Sequence, residues 1–315
     1  MKKIIFDTDL GVDCDDVGAL ALIHSLCDSG EAELLAVTHC FSTPYVAGAI
    51  DSVNKYCNRS VPIGINHSIF YDTPNTYAKD LCEKFENDYK LKDYKSVKNS
   101  VALIREILSS QEDKSVSLVV TGRLSTCAEL LKSEPDEISS LTGKELISKK
   151  VERAVLMGGR FFESWPMPIY ADNGANASEV TWEWNIHEAI EDAKIVAQKW
   201  PSETELVFSS YEIGNDIITL VGYSETAPKN SPIRLAYDIH SGNKGRCSWD
   251  LTAVLEAIRP GVYWNYQEHG KISVDDNGVT SWKKDNSFKH TYLLPKTANK
   301  ELEDIMNNLI YNRRT

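Results

Sequence analysis

The stretch IIFDTDLGVDCDDVGALAL, residues 4–22, carries the most information about the fold of this chain. It begins with an apolar run typical of a buried strand and ends with a pattern typical of a helix whose first turn is acidic. This strand-to-helix turn, the acidic turn, holds Asp7, Asp9, Asp13, Asp15 and Asp16. Two unit charges about 4 Å apart repel by roughly 4 kcal/mol at an effective dielectric of about 20. A bound cation would relieve that repulsion, and open α/β sheets bind their ligands at such turns.

The composition is that of an ordinary globular protein, with 315 residues of which 42% are hydrophobic. The net charge of −12 argues against nucleic acid or an anionic membrane as partner, because both favour a basic face. The N-terminal apolar run is too short for a signal peptide, and no stretch is long enough to predict a transmembrane helix. The seven cysteines contain no CxxC pair, so we expect reduced thiols and a cytoplasmic protein.

Short apolar runs alternate with amphipathic stretches along most of the chain. Strands are predicted at residues 3–7, 34–38, 61–65, 117–121, 151–157 and 205–208, and helices near residues 16–29, 44–58, 99–110, 125–132 and 187–199. This alternation predicts an α/β fold with a mostly parallel, Rossmann-like open sheet flanked by helices. We expect one domain over residues 1–315, with a long loop at residues 66–98 and a late hairpin and terminal helix at about residues 270–315.

The acidic turn is compatible with more than one kind of protein. An EF-hand is disfavoured, because counting from Asp7 or from Asp9 fails to put glycine and glutamate where that loop needs them. The start IIFDTD also resembles the nucleophile motif of haloacid dehalogenase phosphatases, in which Asp7 and Asp9 would act on a phosphate ester. Gly11 then occupies a position for Thr or Val, and three further aspartates remain unexplained.

The acidic turn resembles most specifically the DxDxGxDD signature of the nucleoside hydrolases, the inosine-uridine-preferring N-ribohydrolase family, with two extra residues before the Asp pair. Four later segments resemble further motifs of that family in the same order: LVVTGRLST at residues 118–126, VLMGG at 155–159, EWN at 183–185 and SWDLTAV at 248–254. The resemblance covers about residues 1–260. It implies a nucleoside hydrolase-like fold, Ca²⁺ as cofactor, and a homodimer or homotetramer.

The resemblance also implies an activity and a site. The chain would hydrolyse the N-glycosidic bond of a ribonucleoside, or a related riboside, to ribose and a free base, as in purine metabolism. The implied metal ligands are Asp9, Asp16, the Ser125 carbonyl and Asp250, and Asp9 would also activate a metal-bound water as general base. The residues implied to bind the ribose hydroxyls are Asp15, Asn176, Glu183 and Asn185. We expect Asp7 and Asp13 to play supporting roles.

Trp249 departs from the family pattern, because many members have a histidine immediately before the last metal aspartate as the acid that protonates the leaving base. An indole N–H does not ionise usefully near neutral pH. One interpretation is a purine-preferring enzyme in which Trp249 aids catalysis by stacking on the base, with Phe70, Tyr71 or Tyr77 on its other side. The other interpretation makes Trp249 a pocket wall for a different leaving group.

Other charged side chains leave alternatives open. His39 and His240 are candidate acids, whereas Arg123 and Arg246 could bind a phosphate or carboxylate on the substrate. The absent histidine also keeps open a non-catalytic, metal-dependent riboside-binding protein. Release of free base from a nucleoside would separate an enzyme from such a binding protein.

Overall fold

The computed structural model describes residues 1–71, 77–89, 94–162 and 181–312. The strands are β1 (Lys2–Thr8), β2 (Ala32–His39), β3 (Ile63–Ile65), β4 (Lys98–Asn99), β5 (Val116–Val120), β6 (Val151–Met157), β7 (Glu205–Ser209), β8 (Ile218–Val221), β9 (Lys244–Cys247), β10 (Trp264–Tyr266), β11 (Gly270–Val274), β12 (Thr280–Lys284) and β13 (His290–Pro295). The helices are α1 (Asp15–Asp28), α2 (Val46–Tyr56), α3 (Ala78–Lys84), α4 (Ser100–Ser110), α5 (Ser125–Lys132), α6 (Gly143–Lys150), α7 (Trp184–His187), α8 (Ile190–Lys199), α9 (Tyr211–Gly214), α10 (Tyr223–Thr226), α11 (Pro232–Ser241), α12 (Trp249–Ile258) and α13 (Asn299–Tyr311).

The main sheet is mostly parallel, which confirms the predicted fold class. Its strand order is β12-β11-β13-β7-β6-β5-β1-β2-β3-β4, and all strands from β13 to β4 run parallel. The chain starts in the middle at β1, winds to one edge through β4, and then returns to β5 to wind the other way. The strand order therefore reverses between β1 and β5, and ligands bind at the carboxyl ends of strands at such a point.

Both faces of the sheet are covered, as the alternation of strands and helices predicts. Ile4 and Phe6 of β1 lie in one buried apolar cluster with α1, α2 and α12, whereas Ile5 lies in a second cluster with α4, α5 and α8. A strand buried on both faces reads as a continuous apolar run, which explains the IIF sequence before the acidic turn. All six predicted strands and all five predicted helices have counterparts in the structure.

Several elements were not predicted from the pattern, among them α6, α11 and the antiparallel ribbon formed by β8 and β9. Late in the chain, β11 and β12 form an antiparallel hairpin and α13 follows β13. That residues 1–315 form one domain stays a prediction. None of the helices in the described part of the chain combines the length and the apolar character needed to span a bilayer.

Candidate active site

The acidic residues converge where β1, α1 and α12 meet. Asp15 and Asp16 form the first turn of α1, and Asp250 lies in the first turn of α12. The two helices pack closely at Gly18, where an added Cβ would lie 3.2 Å from Leu251 Cδ1. The backbone N–H of Asp250 donates to Asp15 Oδ2 over 3.1 Å. The packing of α12 on α1 thus brings Asp250 to the acidic turn.

Asp15, Asp16 and Asp250 are buried, and one carboxylate oxygen of each lies within 4.8 Å of the others. These three residues and Asp9 line one cavity, and we call the four of them the carboxylate cluster. Burial and then repulsion by neighbouring carboxylates raise the pKa of the three grouped carboxyls well above their usual range. Burial also raises the pKa of Asp9 to about 7, against the charge of Arg123. These groups cannot all ionise together without a neutralising cation.

The carboxylate cluster fits a divalent cation. Its donors are hard carboxylate oxygens, which Ca²⁺ and Mg²⁺ prefer. The two arginines whose charges act on the cluster form ion pairs elsewhere, Arg123 with Glu188 and Arg246 with Asp13. Hydrogen bonding also orients the cluster, since the Thr8 hydroxyl donates to Asp16. Among the described residues, therefore, no arginine, lysine or histidine takes the place of a metal by forming an ion pair with the carboxylate cluster.

Two residues discussed from the sequence are not on the lining of this cavity. Ser125 is fully buried at the start of α5 and is not among the cavity-lining residues, so its carbonyl as a metal ligand stays a prediction. Asp7 is also absent from the lining, and its carboxylate accepts a hydrogen bond of 2.6 Å from Thr38 Oγ1. A buried carboxyl facing β2 is not positioned as a nucleophile. The haloacid dehalogenase alternative is therefore wrong.

A cavity of about 270 Å³ opens beside the carboxylate cluster and reaches Glu183 and Asn185. The Glu183 carboxylate is fixed by backbone N–H groups, at 2.9 Å from Asn185 and 3.1 Å from Gly159, and burial raises its pKa to about 7. Asn185 Nδ2 donates to the carbonyls of Thr121 and Met157 at the ends of β5 and β6. The side-chain oxygen of Asn185 is therefore the group left to bind a ligand. Asn176 lies outside the described residues.

Trp249 lines the cavity as a wall rather than as a proton donor. Its Nε1–H donates to the Tyr211 carbonyl over 3.0 Å, and the two rings stack with centroids 5.6 Å apart. The guanidinium of Arg246 lies over the indole, 5.1 Å from its centroid. Because the indole N–H is already engaged, Trp249 offers the cavity its ring.

The proposed partner rings for Trp249 are placed elsewhere. Phe70 is half exposed and stacks on Tyr94, whereas Tyr71 lies under the guanidinium of Arg123 at 4.2 Å. Tyr77 is buried, and its hydroxyl bonds the backbone of the acidic turn. None of these rings lines the cavity as the described residues define it, so the expectation of a stacking partner among them is wrong. Tyr211 is the aromatic neighbour that sequence reasoning missed.

The candidate histidines differ sharply in position. His39 is fully buried and its ring nitrogens face the carbonyls of Phe41 and Leu10, and burial lowers its pKa to about 4. His240 instead lines the cavity, with Nε2 3.1 Å from Asp13 Oδ1. Burial opposes the ionisation of Asp13, but hydrogen bonds from His240 and Arg246 hold its pKa below the usual range. The sequence feature that could have indicated the group of Asp13, His240 and Arg246 was the pair of extra residues in the acidic turn.

A switch-point cavity lined by aromatic rings and by a buried carboxylate cluster is a site in an α/β protein that fits a small polar ligand beside a divalent cation. A family model described as inosine-uridine preferring nucleoside hydrolase matches residues 4–300, so the chain belongs to that family. This confirms the resemblance drawn from the sequence motifs. The chain is therefore a hydrolase of the nucleoside ribohydrolase type, which cleaves the N-glycosidic bond of ribonucleosides.

Solved structures agree with this assignment at the level of the fold. An inosine-uridine preferring nucleoside hydrolase from Bacillus anthracis is 18% identical, with 99% of each chain covered and a TM-score of 0.69. An inosine-guanosine nucleoside hydrolase is 16% identical, with 100% of each chain covered and a TM-score of 0.73. A purine-preferring ribonucleoside hydrolase from Gardnerella vaginalis is 16% identical over 98% of each chain, with a TM-score of 0.68. No curated protein sequence matches the chain.

Proposed function

We propose that the chain hydrolyses a ribonucleoside in a Ca²⁺-dependent reaction in which Asp9 is the general base. The observation that carries this proposal is the carboxylate cluster, which is buried, lacks a side-chain cation partner in the described structure, and borders a cavity of about 270 Å³. A phosphatase would want cationic groups free to receive its substrate. The arginine on this cavity, Arg246, is instead paired with Asp13.

The proposed ligands of Ca²⁺ are carboxylate oxygens of Asp9, Asp16 and Asp250 and the Ser125 carbonyl. The bound cation would supply charge that fixes two vicinal ribose hydroxyls and makes water easier to deprotonate. The grouping of Asp15 with Asp16 and Asp250 supports a place for Asp15 at the same edge of the sugar, with one oxygen held by the Asp250 N–H. Its other oxygen is the one we assign to the ribose.

The remaining roles follow from the polar groups that reach the cavity. Asp9 would take the proton of the attacking water, and the raised pKa that burial gives it suits a base working near neutral pH. Glu183, Asn185 and Asn176 are proposed to hold the other ribose hydroxyls. Hydrogen bonds to these hydroxyls would strengthen as positive charge develops at C1′ in the oxocarbenium-like transition state.

We further propose a purine base as the leaving group. The rings of Trp249, Tyr211 and Trp184 line the cavity, and a flat aromatic base gains most from contact with such faces. Two of the similar solved structures are described as acting on inosine and guanosine or as purine-preferring. A homo-oligomer remains part of the proposal, as does a cytoplasmic location, which the seven free cysteines support.

The test is a panel of purine and pyrimidine ribonucleosides incubated with the protein, with Ca²⁺ or with a chelator, and followed by chromatography of the released base and by a reducing-sugar assay. We expect base and ribose in equal amounts with Ca²⁺ and a loss of turnover with the chelator. Asp9→Asn should lower kcat by about 10²–10⁴-fold, the usual contribution of a general base. Nucleoside binding without any released base would instead identify the riboside-binding alternative.

A further inference from the structure

Trp249 occupies the position immediately before Asp250, where a histidine would protonate the departing base. Rupture of the C1′–N bond places an electron pair on the base, which is a poor leaving group unless it gains a proton. Trp249 cannot provide that proton, because indole does not ionise usefully and its N–H is bonded to the Tyr211 carbonyl. The proton must come from solvent or from another ionisable group on the cavity.

His240 is the histidine that the described structure places on the cavity lining. It lies on α11, and its Nε2 is 3.1 Å from Asp13 Oδ1. Asp13 in turn accepts Arg246 Nε at 2.9 Å on each oxygen, and Oδ1 accepts the Cys14 backbone N–H at 2.6 Å. The Tyr77 hydroxyl donates to the Asp13 carbonyl. Asp13 is thus a fixed carboxylate that sets the orientation of the imidazole.

A carboxylate held this firmly fixes the orientation of the imidazole ring and selects which ring nitrogen remains free. Asp13 engages Nε2 of His240, so Nδ1 is the nitrogen left for another partner. Histidine is also the side chain whose ordinary charge change lies closest to neutral pH, which suits it to proton transfer. The Asp13–His240 pair therefore has the parts of an acid and its orienting partner.

We propose that His240, oriented by Asp13, protonates the leaving base, an assignment that rests on the proposed nucleoside hydrolysis. The proton moves from Nδ1 of the imidazolium to a ring nitrogen of the base as the C1′–N bond breaks and its electron pair goes to the base. The water oxygen bonds to C1′ and its proton goes to Asp9. Ribose and neutral base result, and exchange with solvent restores the starting protonation of His240 and Asp9.

Two other uses of this group fit the contacts less well. An anion-binding role would need a free guanidinium, but Arg246 is committed to Asp13 through Nε and Nη2. Asp13, Cys14 and His240 also bring possible ligand atoms within 4.8 Å of one another, as a metal site would require. The guanidinium charge beside Asp13 opposes a second cation there. We therefore assign Arg246 and Asp13 as positioning residues for His240.

The test compares two leaving groups in the Ca²⁺-loaded enzyme. Purine ribonucleosides need a proton on the base, whereas p-nitrophenyl β-D-ribofuranoside releases a phenolate that leaves unprotonated. For His240→Gln we expect kcat for the nucleosides to fall by about 10²–10⁴-fold and the rate with the aryl riboside to change little. Asp13→Asn should show the same selectivity to a smaller degree. His269→Asn, at an exposed histidine outside the cavity, should leave both rates unchanged.

Each contrary outcome is distinguishable. Equal losses on both substrates in His240→Gln, with the melting temperature of the wild type retained, would show a structural or binding role and overturn the assignment. Unchanged nucleoside turnover in that variant would overturn it too. A wild type that cleaves the aryl riboside but no nucleoside would remove the need for an acid and count against His240. A wild type that cleaves neither substrate would refute the proposed function itself, and the assignment with it.

Discussion

Asp250→Asn is expected to stabilise the protein in the absence of a cation and to abolish most of its stabilisation by Ca²⁺. Asp250 is buried, and its carboxylate lies within 4.8 Å of those of Asp15 and Asp16. Replacing it with an amide of the same shape removes one charge from the cluster and offers an N–H donor to its neighbours. A substitution at a buried polar residue usually destabilises a protein, so the expected sign is diagnostic.

The expected magnitude follows from the geometry of the cluster. One pair of ionised groups about 4 Å apart repels by roughly 4 kcal/mol at an effective dielectric of about 20, which is an upper bound. The raised pKa of Asp250 means that proton uptake already relieves part of this repulsion. We therefore expect a gain below the repulsion of one fully ionised pair, of about 1–3 kcal/mol. Each kcal/mol shifts the melting temperature by roughly 2–4 °C in proteins of about 150–250 residues, and we expect a shift near the lower end for this longer chain.

The second part of the prediction concerns how much Ca²⁺ stabilises the wild type and the variant. A ligand present at about 100 times its Kd stabilises the folded state by about 2.7 kcal/mol. The variant lacks one anionic ligand and should lose most of that shift. The assay is thermal unfolding of wild type and variant, each with a chelator and with a series of Ca²⁺ concentrations.

Asp51→Asn on α2 is the matched control, because Asp51 is also buried but lies outside the cavity and accepts the Asp88 backbone N–H over 2.7 Å. This control should keep the full Ca²⁺ shift and gain no stability with the chelator. The prediction is contradicted if Asp250→Asn melts below wild type with the chelator and still shows the wild-type response to Ca²⁺. That result would mean that the carboxylates of the cluster are not held together by a cation.

Three further predictions concern the surroundings of the site. Tyr77→Phe removes a hydroxyl that bonds the acidic turn at two backbone positions, so the free energy of unfolding in urea should fall by about 1–3 kcal/mol. In Gly214→Ala the new Cβ would lie 2.4 Å from Trp249 Cα, which must displace Trp249 and should raise KM for nucleosides in steady-state assays. Burial lowers the pKa of His290 from 6.5 to about 4, and its Nδ1 accepts the Ile272 N–H. Since the unfolded chain then binds the proton more readily, stability should fall as the pH drops from about 6.5 towards 4, and His290→Asn should lessen that loss in urea titrations at several pH values.

These predictions have separate controls. Gly242→Ala places a Cβ where no atom lies within 4 Å, so it should leave KM unchanged despite the positive φ of that residue. Equal KM values for Gly214→Ala and the wild type would contradict the close packing of Gly214 on Trp249. An unchanged unfolding free energy in Tyr77→Phe would mean that the acidic turn does not depend on that hydroxyl. Parallel pH profiles for wild type and His290→Asn would exclude His290 as their cause.

The sequence anticipated the architecture well because its signals are local. The continuous apolar run of β1 and the amphipathic helices reflect burial on one or two faces, which periodicity reveals directly. Elements with weaker local signals were missed. They include α11 and the ribbon of β8 and β9, whose short strands lie outside the main sheet. These missed elements carry His240 and Arg246, so the pair that completes the Asp13 group could not be placed from the pattern.

What the sequence by itself determined is the class of the protein: a parallel α/β fold, a run of carboxylates too dense to remain unneutralised, and motifs in the order of one hydrolase family. The tertiary structure alone decided which of these side chains meet. Asp250 reaches Asp15 across 235 positions, and Arg246 reaches Asp13 across 233. Such contacts depend on how the sheet winds outward from β1 and on the close packing of α12 on α1. No local periodicity records that geometry, which is why only the folded chain shows His240 on the cavity lining beside Asp13 and the Trp249 N–H bonded to the Tyr211 carbonyl.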